Sequence, residues 1–212
     1  MFYDFCKRTI DIIGSIVGLI IFAPICLIVI IAIELDSPGP VLADTPKRVG
    51  KGGKEFRFLK FRSMIPNAHQ LLQTDPRFKK LLEEYKKSSY KLHNDPRVTR
   101  VGKFLRKHSL DEIPQFVNVL RGEMSLVGPR AYYPFELEEQ QEKYPQTKEL
   151  VKEVLKVKPG ITGPWQVSGR SEINFDKRIE MDAKYARRRS LLYDLIIIVK
   201  TPVAMITGKG AI

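Results

Sequence analysis

From Ile12 to Ile33 the chain reads IIGSIVGLIIFAPICLIVIIAI, an uncharged and almost wholly apolar run. It is long enough to cross a hydrocarbon core of about 30 Å. A secretory signal fits poorly, because an h-region holds about 7–15 apolar residues and is followed by a small-residue cleavage site. Pro24 stands in the middle of the run, where a proline removes a helix hydrogen bond and kinks the chain. Lys7 and Arg8 precede it, and Lys47, Arg48, Lys51, Lys54, Arg57, Lys60 and Arg62 follow. Positive charge on both flanks favours the cytoplasmic side for both. A re-entrant hairpin satisfies that and a single span does not. On charge alone, a kinked span and a re-entrant helix both stay open.

Ser37-Pro38-Gly39-Pro40 is a rigid breaker. Residues 41–66 predict short strands around a turn at Gly50-Lys51-Gly52-Gly53. From Phe56 to Arg62, apolar and basic residues mostly alternate, the period of a half-exposed strand. Phe78, Leu81, Leu82 and Tyr85 form a helical stripe between two Asp-Pro-Arg turns, at Asp75 and Asp95. Residues 97–107 set Val98, Val101, Phe104 and Leu105 at helical spacing among basic side chains, a basic amphipathic helix for the membrane surface or the core. Residues 135–156 predict an acidic, then mixed, helical stretch. A last helix, about 190–207, is capped by Ser190, bent at Pro202, and has little polar face. The fold class expected is α/β and mostly helical, with a small β element and interfacial amphipathic helices.

Composition narrows the partners. A formal net charge of +12 points to a polyanion: nucleic acid, anionic lipid or a phosphorylated substrate. Two cysteines without a C-x-x-C, and three scattered histidines, indicate neither a zinc site nor a disulfide framework. No Gly-x-Ser-x-Gly supports serine hydrolysis.

The candidate chemistry centres on His-Ser-Leu-Asp-Glu-Ile-Pro at 108–114. Ser109-x-x-Glu112 matches a capping box. Asp111 as the cap would put Pro114 in the first turn, where no amide hydrogen is needed. Either version sets Asp111 at a helix N-terminus, whose amides favour a carboxylate and attract phosphate. Adjacent acids diverge on a helix, so a glycosidase-type pair is disfavoured. One acid attacking while the other binds metal or moves a proton is more natural. Carboxylate attack on phosphorus needs surrounding positive charge. Lys60, Arg62, Arg106 and Arg130 offer it. Gly160-Ile161-Thr162-Gly163 and Gly169-Arg170 are two loops where backbone approaches a ligand closely. Local physics alone leaves cap and catalyst both standing.

Read together, KRTIDIIGSIVGLIIFAP, PGPV, KRVGKGGKEF, KFRSM, DPRVTRVGKFLRKHSLDEIPQFVNVLRGEMSLVGPR and PGITGPWQVSGR closely resemble the bacterial sugar transferase family, over nearly the whole chain and in the same order. These are monotopic phosphoglycosyl transferases, and the chain resembles their minimal form. The resemblance implies transfer of sugar-1-phosphate from a UDP-sugar to undecaprenyl phosphate, with release of UMP, as the first membrane step of glycoconjugate assembly. It implies Asp111 as the nucleophile of a covalent phosphosugar intermediate, and Glu112 as its partner in metal binding or proton transfer. Lys60, Arg106 and Arg130 match phosphate-binding positions. Magnesium is implied, with Asp111 and Glu112 as candidate ligands. Residues 1–36 would be a re-entrant helix broken at Pro24. Residues 37–212 would be a catalytic domain on the cytoplasmic face of the bacterial inner membrane. The partners implied are the UDP-sugar, the lipid phosphate and the bilayer, with a homodimer left open and no nucleic acid. Ala23 and Ala131 depart from the Ser and Pro common at those positions. The sugar stays unassigned.

Overall fold

The computed structural model describes residues 2–87, 92, 94–169 and 173–207. Helix α1 runs from Phe2 to Asp36 with Pro24 inside it. Helical backbone continues through the proline, so Pro24 does not divide α1 into two separate helices. One proline removes one hydrogen bond from the ladder, and the turns on either side keep theirs. In the most apolar stretch of α1 only 11% of residues are buried, so it is not a core helix. Ile13, Ile20, Ile21, Leu27 and Ile28 are exposed.

Both ends of α1 are tied to the same globular body. Near the start, Lys7 Nζ and Tyr3 OH reach Asp194 Oδ2 at 2.8 and 3.0 Å. Arg8 donates to the carbonyls of Val119 and Leu120. Asp11 accepts from Ser125 Oγ and Leu126 N, both at 2.9 Å. At the far end, Asp36 accepts from Val101 N, and Val29 and Ile33 pack on Phe61, Leu105 and Ile113. Between the ends, Gly14 lies against Leu126 and Gly18 against Phe116.

The 41–66 region forms less strand than its alternation predicts. An antiparallel pair joins β1 (Arg48–Val49) to β2 (Glu55–Phe56) around the glycine turn. Beyond it only isolated bridges occur, Leu42 to Phe61 and Met64 to Val98. Phe58, Leu59, Phe61 and Arg62 are all buried, because the segment runs through the interior and is not half-exposed. Next come α2 (Ala68–Thr74), α3 (Lys79–Lys87) and α4 (Arg100–Lys107). Thr99 caps α4 by accepting from Gly102 N. The two Asp-Pro-Arg turns share one geometry: Asp75 and Asp95 each accept the backbone N–H of the arginine two residues on and pair with its guanidinium.

Helix α5 (Gln115–Leu120) leads to β3 (Ser125–Val127), which pairs in parallel with β4 (Gly160–Thr162). The connection carries α6 (Pro134–Lys143) and α7 (Lys148–Val154), which with α8 (Phe175–Arg188) enclose a core of Tyr132, Leu137, Val151, Val154, Phe175 and Ile179. Helix α9 (Leu191–Thr207) contains Pro202, and Ser190 Oγ accepts from Tyr193 N, the cap the sequence predicts. Leu192, Leu195, Ile196, Val199 and Val203 on α9, and Phe104 on α4, add exposed apolar surface to that of α1.

Candidate active site

Backbone stitching brings Lys60 to Asp111. Phe61 N donates to Asp111 O at 2.8 Å, Ala43 N to Lys60 O at 2.8 Å, and Leu59 N to Asn118 Oδ1 at 3.0 Å. Lys60 Nζ then lies 2.8 Å from Asp111 Oδ2. The Asp111 side chain is only 2% exposed and that of Lys60 is 22% exposed, so the lysine faces the opening and the carboxylate sits behind it.

Asp111 is not a helix cap. It lies in a 3₁₀ turn, Leu110–Glu112, between α4 and α5. Ser109 adopts φ 55°, ψ 24° and makes no side-chain cap bond. That left-handed backbone rules out the capping box, since an N-cap needs an extended conformation for its oxygen to reach the N3 amide. Pro114 takes the N-cap position of α5. The charge beside Asp111 is therefore Lys60 rather than a helix N-terminus.

Arg130 is held by glycines. A Cβ on Gly128, Gly160 or Gly163 would overlap backbone of the facing turn, so only hydrogens fit where GPR meets the β4 loop. The backbone Arg130 N–H donates to Asp182 Oδ2 at 3.1 Å, and Tyr132 OH donates to the same oxygen at 2.9 Å. Burial opposes the charge of Arg130, but Glu136, Tyr132, Tyr133 and Glu112 outweigh it and raise its pKa. Glu112 therefore lies within electrostatic reach of Arg130. Behind Arg130, Arg178 and Glu136 form a fully buried pair at 3.4 Å.

Burial pushes the Asp182 carboxyl up to about 7, against the bonds from Arg130 and Tyr132 and the charges of Arg178 and Arg130. Its folded pKa exceeds the ordinary carboxylate value of 3.8. The stability from the bound proton is thus full below about pH 4 and lost as pH rises through about 7. Relative to Asp182→Asn, which does not titrate, the wild type should lose about 2–3 kcal/mol between pH 5 and 8. Denaturant melts in detergent across that range check this. Parallel pH profiles for the two proteins would contradict it.

One cavity of about 730 Å³ is lined by Lys60, Arg62, Arg106, Asp111, Glu112, Arg130, Gly160 and Thr162. Arg62 lines it but has another task. Its Nη1 and Nη2 donate to Ser37 Oγ and to the carbonyls of Ile33, Ser37, Pro38 and Gly39. It caps the C-terminus of α1, where carbonyls lack helical partners, and those donors are not turned to a phosphate. The glycines of the β4 loop also allow close packing on the Gly128 turn. Thr162 Oγ1 bonds Thr201 Oγ1 of α9 at 2.8 Å. Arg170 lies outside the described residues. Among the described residues no group of three or more His, Cys, Asp or Glu forms a metal cage.

Asp182 and Arg178 escape the sequence reading, although a signal exists: both occupy the buried stripe of α8 with Phe175, Ile179 and Ala183. Charges at apolar positions mark a buried polar network. Arg48 also lines the cavity, and nothing in its local sequence sets it apart from the basic residues around it.

Fold and site define a protein with a long outward-facing apolar helix and a cationic cavity around a buried carboxylate. The chain belongs to the bacterial sugar transferase family, whose model matches residues 2–208. It is 42% identical over 211 residues to the undecaprenyl-phosphate galactose phosphotransferase of Salmonella typhimurium, covering 98% of this chain and 42% of that protein. It is 39% identical over 213 residues to the UDP-glucose:undecaprenyl-phosphate glucose-1-phosphate transferase of Escherichia coli, covering 97% and 41%. It is 38% identical over 205 residues to the exopolysaccharide production protein ExoY of Sinorhizobium fredii, covering 97% and 87%. The chain thus spans less than half the length of several relatives it matches.

Proposed function

We propose that this chain is a phosphoglycosyl transferase that moves sugar-1-phosphate from a UDP-sugar to undecaprenyl phosphate. The observation that carries the reading is the cavity itself. Lys60, paired with Asp111, lines it together with Arg106 and Arg130. Phe22 of α1, Phe116 of α5, and Ile198 and Met205 of α9 line the same cavity and give it apolar wall. A charged headgroup on a long hydrocarbon chain needs both. The names of two relatives, with galactose in one and glucose in the other, support the substrate class and leave the sugar open. ExoY's name supports a place in exopolysaccharide assembly.

In this mechanism an Asp111 carboxylate oxygen attacks the β-phosphorus of the UDP-sugar. The bond from that phosphorus to the bridging oxygen breaks, and UMP leaves with the electron pair. A phosphate oxygen of undecaprenyl phosphate then attacks the aspartyl phosphosugar. The bond to Asp111 breaks and the carboxylate is restored. Lys60 fixes the direction of the carboxylate and offsets its repulsion of the incoming diphosphate. Arg106 and Arg130 balance the phosphate charge. Asp111 and Glu112 would hold magnesium. Two carboxylates suit that ion, which commonly takes one or two together with substrate phosphates and waters. Bound there, it neutralises diphosphate charge.

Both ends of α1 carry polar ties to one globular body, which supports a monotopic placement in the inner membrane with both ends on the cytoplasmic face. A spanning helix would carry its two ends to opposite faces. The test is nucleotide release from a panel of UDP-sugars with undecaprenyl phosphate and magnesium. UMP should appear with at least one sugar. UDP as product would point instead to transfer at the anomeric carbon, and release with none would sink the enzymatic reading.

A further inference from the structure

We propose that Arg48 is a binding residue for the nucleotide phosphate, gripping it together with Arg130 as UMP leaves. The inference rests on the function proposed above and adds a residue to it. Arg48 opens β1, and its side chain enters the cavity that holds Asp111. It is only 8% exposed. Its guanidinium carbon stands 3.3 Å from the centre of the Tyr133 ring and 5.0 Å from that of Phe58. Nη1 donates to Ala131 O at 3.1 Å, the residue next to Arg130. Nε is buried with no hydrogen-bond partner among the described residues. Two aromatic faces and one carbonyl do not neutralise a buried cation, and buried charges are normally paired. Burial, and after it the charge of Arg130, lower the pKa of Arg48, while Tyr133, Glu136 and Tyr85 oppose them only in part. A phosphate beside Arg48 would supply the partner its guanidinium lacks, and Arg130 lines the same cavity.

The cavity's layout selects which anion. The polyprenyl chain requires apolar lining, which Phe22 of α1 and Ile198 and Met205 of α9 give the cavity. Arg48 lines the cavity together with Asn67, His69 and Tyr133, and His69 and Tyr133 stack at 6.2 Å. Those side chains suit a soluble nucleotide, whose base can lie on aromatic faces. When the bond from the β-phosphorus to the bridging oxygen breaks, the departing phosphate gains charge, and a guanidinium fork is then at its most useful.

The experiment uses the full chain in detergent, with Arg48→Met and Arg48→Lys beside the wild type. UMP should inhibit both variants more weakly, by about tenfold to a hundredfold for methionine. Lysine should recover only part of this, since it keeps the charge and loses the planar fork. The KM for the UDP-sugar should rise with it, and the KM for undecaprenyl phosphate should stay within about twofold. The rise in melting temperature caused by UMP should shrink in both variants. A purely structural Arg48 would instead lower the melting temperature without UMP and leave UMP inhibition unchanged, and that result overturns the proposal. If Arg48→Met does not fold, Arg48→Lys carries the comparison. If the wild type releases UMP from no UDP-sugar, the proposed function fails. The UMP-induced melting shift still decides the Arg48 claim: a shift equal in wild type and variants rejects it.

Discussion

Asp111→Asn should reduce transfer by about a thousandfold or more, a barrier increase of about 4 kcal/mol, while the protein stays folded and membrane-bound. Asparagine matches aspartate in shape but lacks the anionic oxygen that attacks phosphorus. The change also strips Lys60 of the carboxylate 2.8 Å away. Removing one member of a buried pair destabilises strongly when the survivor stays buried. Here the survivor is the partly exposed lysine, which water can reach, so the stability cost should be held to about 1–2 kcal/mol. The separation of the two effects is the point of the test. Release of UMP and the melting temperature, measured on one preparation, should show activity gone and fold retained. Turnover by Asp111→Asn near the wild-type rate would remove the carboxylate from the mechanism.

Gly160→Ala should act the other way round, damaging the fold first and the site through it. A Cβ at Gly160 would overlap the backbone nitrogen of Gly128 and the carbonyl oxygen of Thr162. Neither obstacle is a side chain that can swing aside. Gly160 N also donates to Pro129 O at 2.8 Å, and Gly128 N to Thr162 O at 2.9 Å, so the new methyl falls inside a bonded backbone crossing. Overpacking commonly costs about 1–3 kcal/mol, and rigid backbone on both sides argues for the upper end. For a chain of this size that is a fall in melting temperature of about 6–12 °C. Arg130 follows Pro129 directly, so opening the crossing shifts the guanidinium, and transfer should fall at least about tenfold at a temperature where the variant is still folded. A melting temperature within about 2 °C of wild type would contradict the packing argument.

Much of the fold and of the site is legible in the sequence. The uniform apolarity of residues 12–33 announces a helix that cannot sit in water. Ser190 before an apolar run announces the start of α9. Lys60, Arg106, Asp111 and Arg130 are spread over some seventy residues, yet the motifs that single them out lead to one cavity. What stayed hidden depends on contacts between distant segments. The capping box at Ser109 is a correct local pattern overruled by a left-handed turn. Arg62 looks like its neighbour Lys60, but the carbonyls at the end of α1 claim it. Pro24 reads as a break, whereas α1 continues through it. Gly160 and Gly163 read as ligand-loop glycines, and the Gly128 turn packed against them is a second demand that the sequence does not show. Arg48 is one basic residue among many until Phe58 and Tyr133 close around it.

The central claim is that Asp111 carries the sugar phosphate during turnover. The most direct measurement is the intact mass of the protein after incubation with a turned-over UDP-sugar and magnesium, without lipid acceptor. The wild type should gain the mass of one sugar phosphate, located at Asp111 by peptide fragmentation, and should lose it on addition of undecaprenyl phosphate. Asp111→Asn should gain nothing. A wild-type protein that transfers sugar phosphate at full rate, with no adduct trapped under any quench, would contradict the covalent mechanism and favour direct attack by the lipid phosphate.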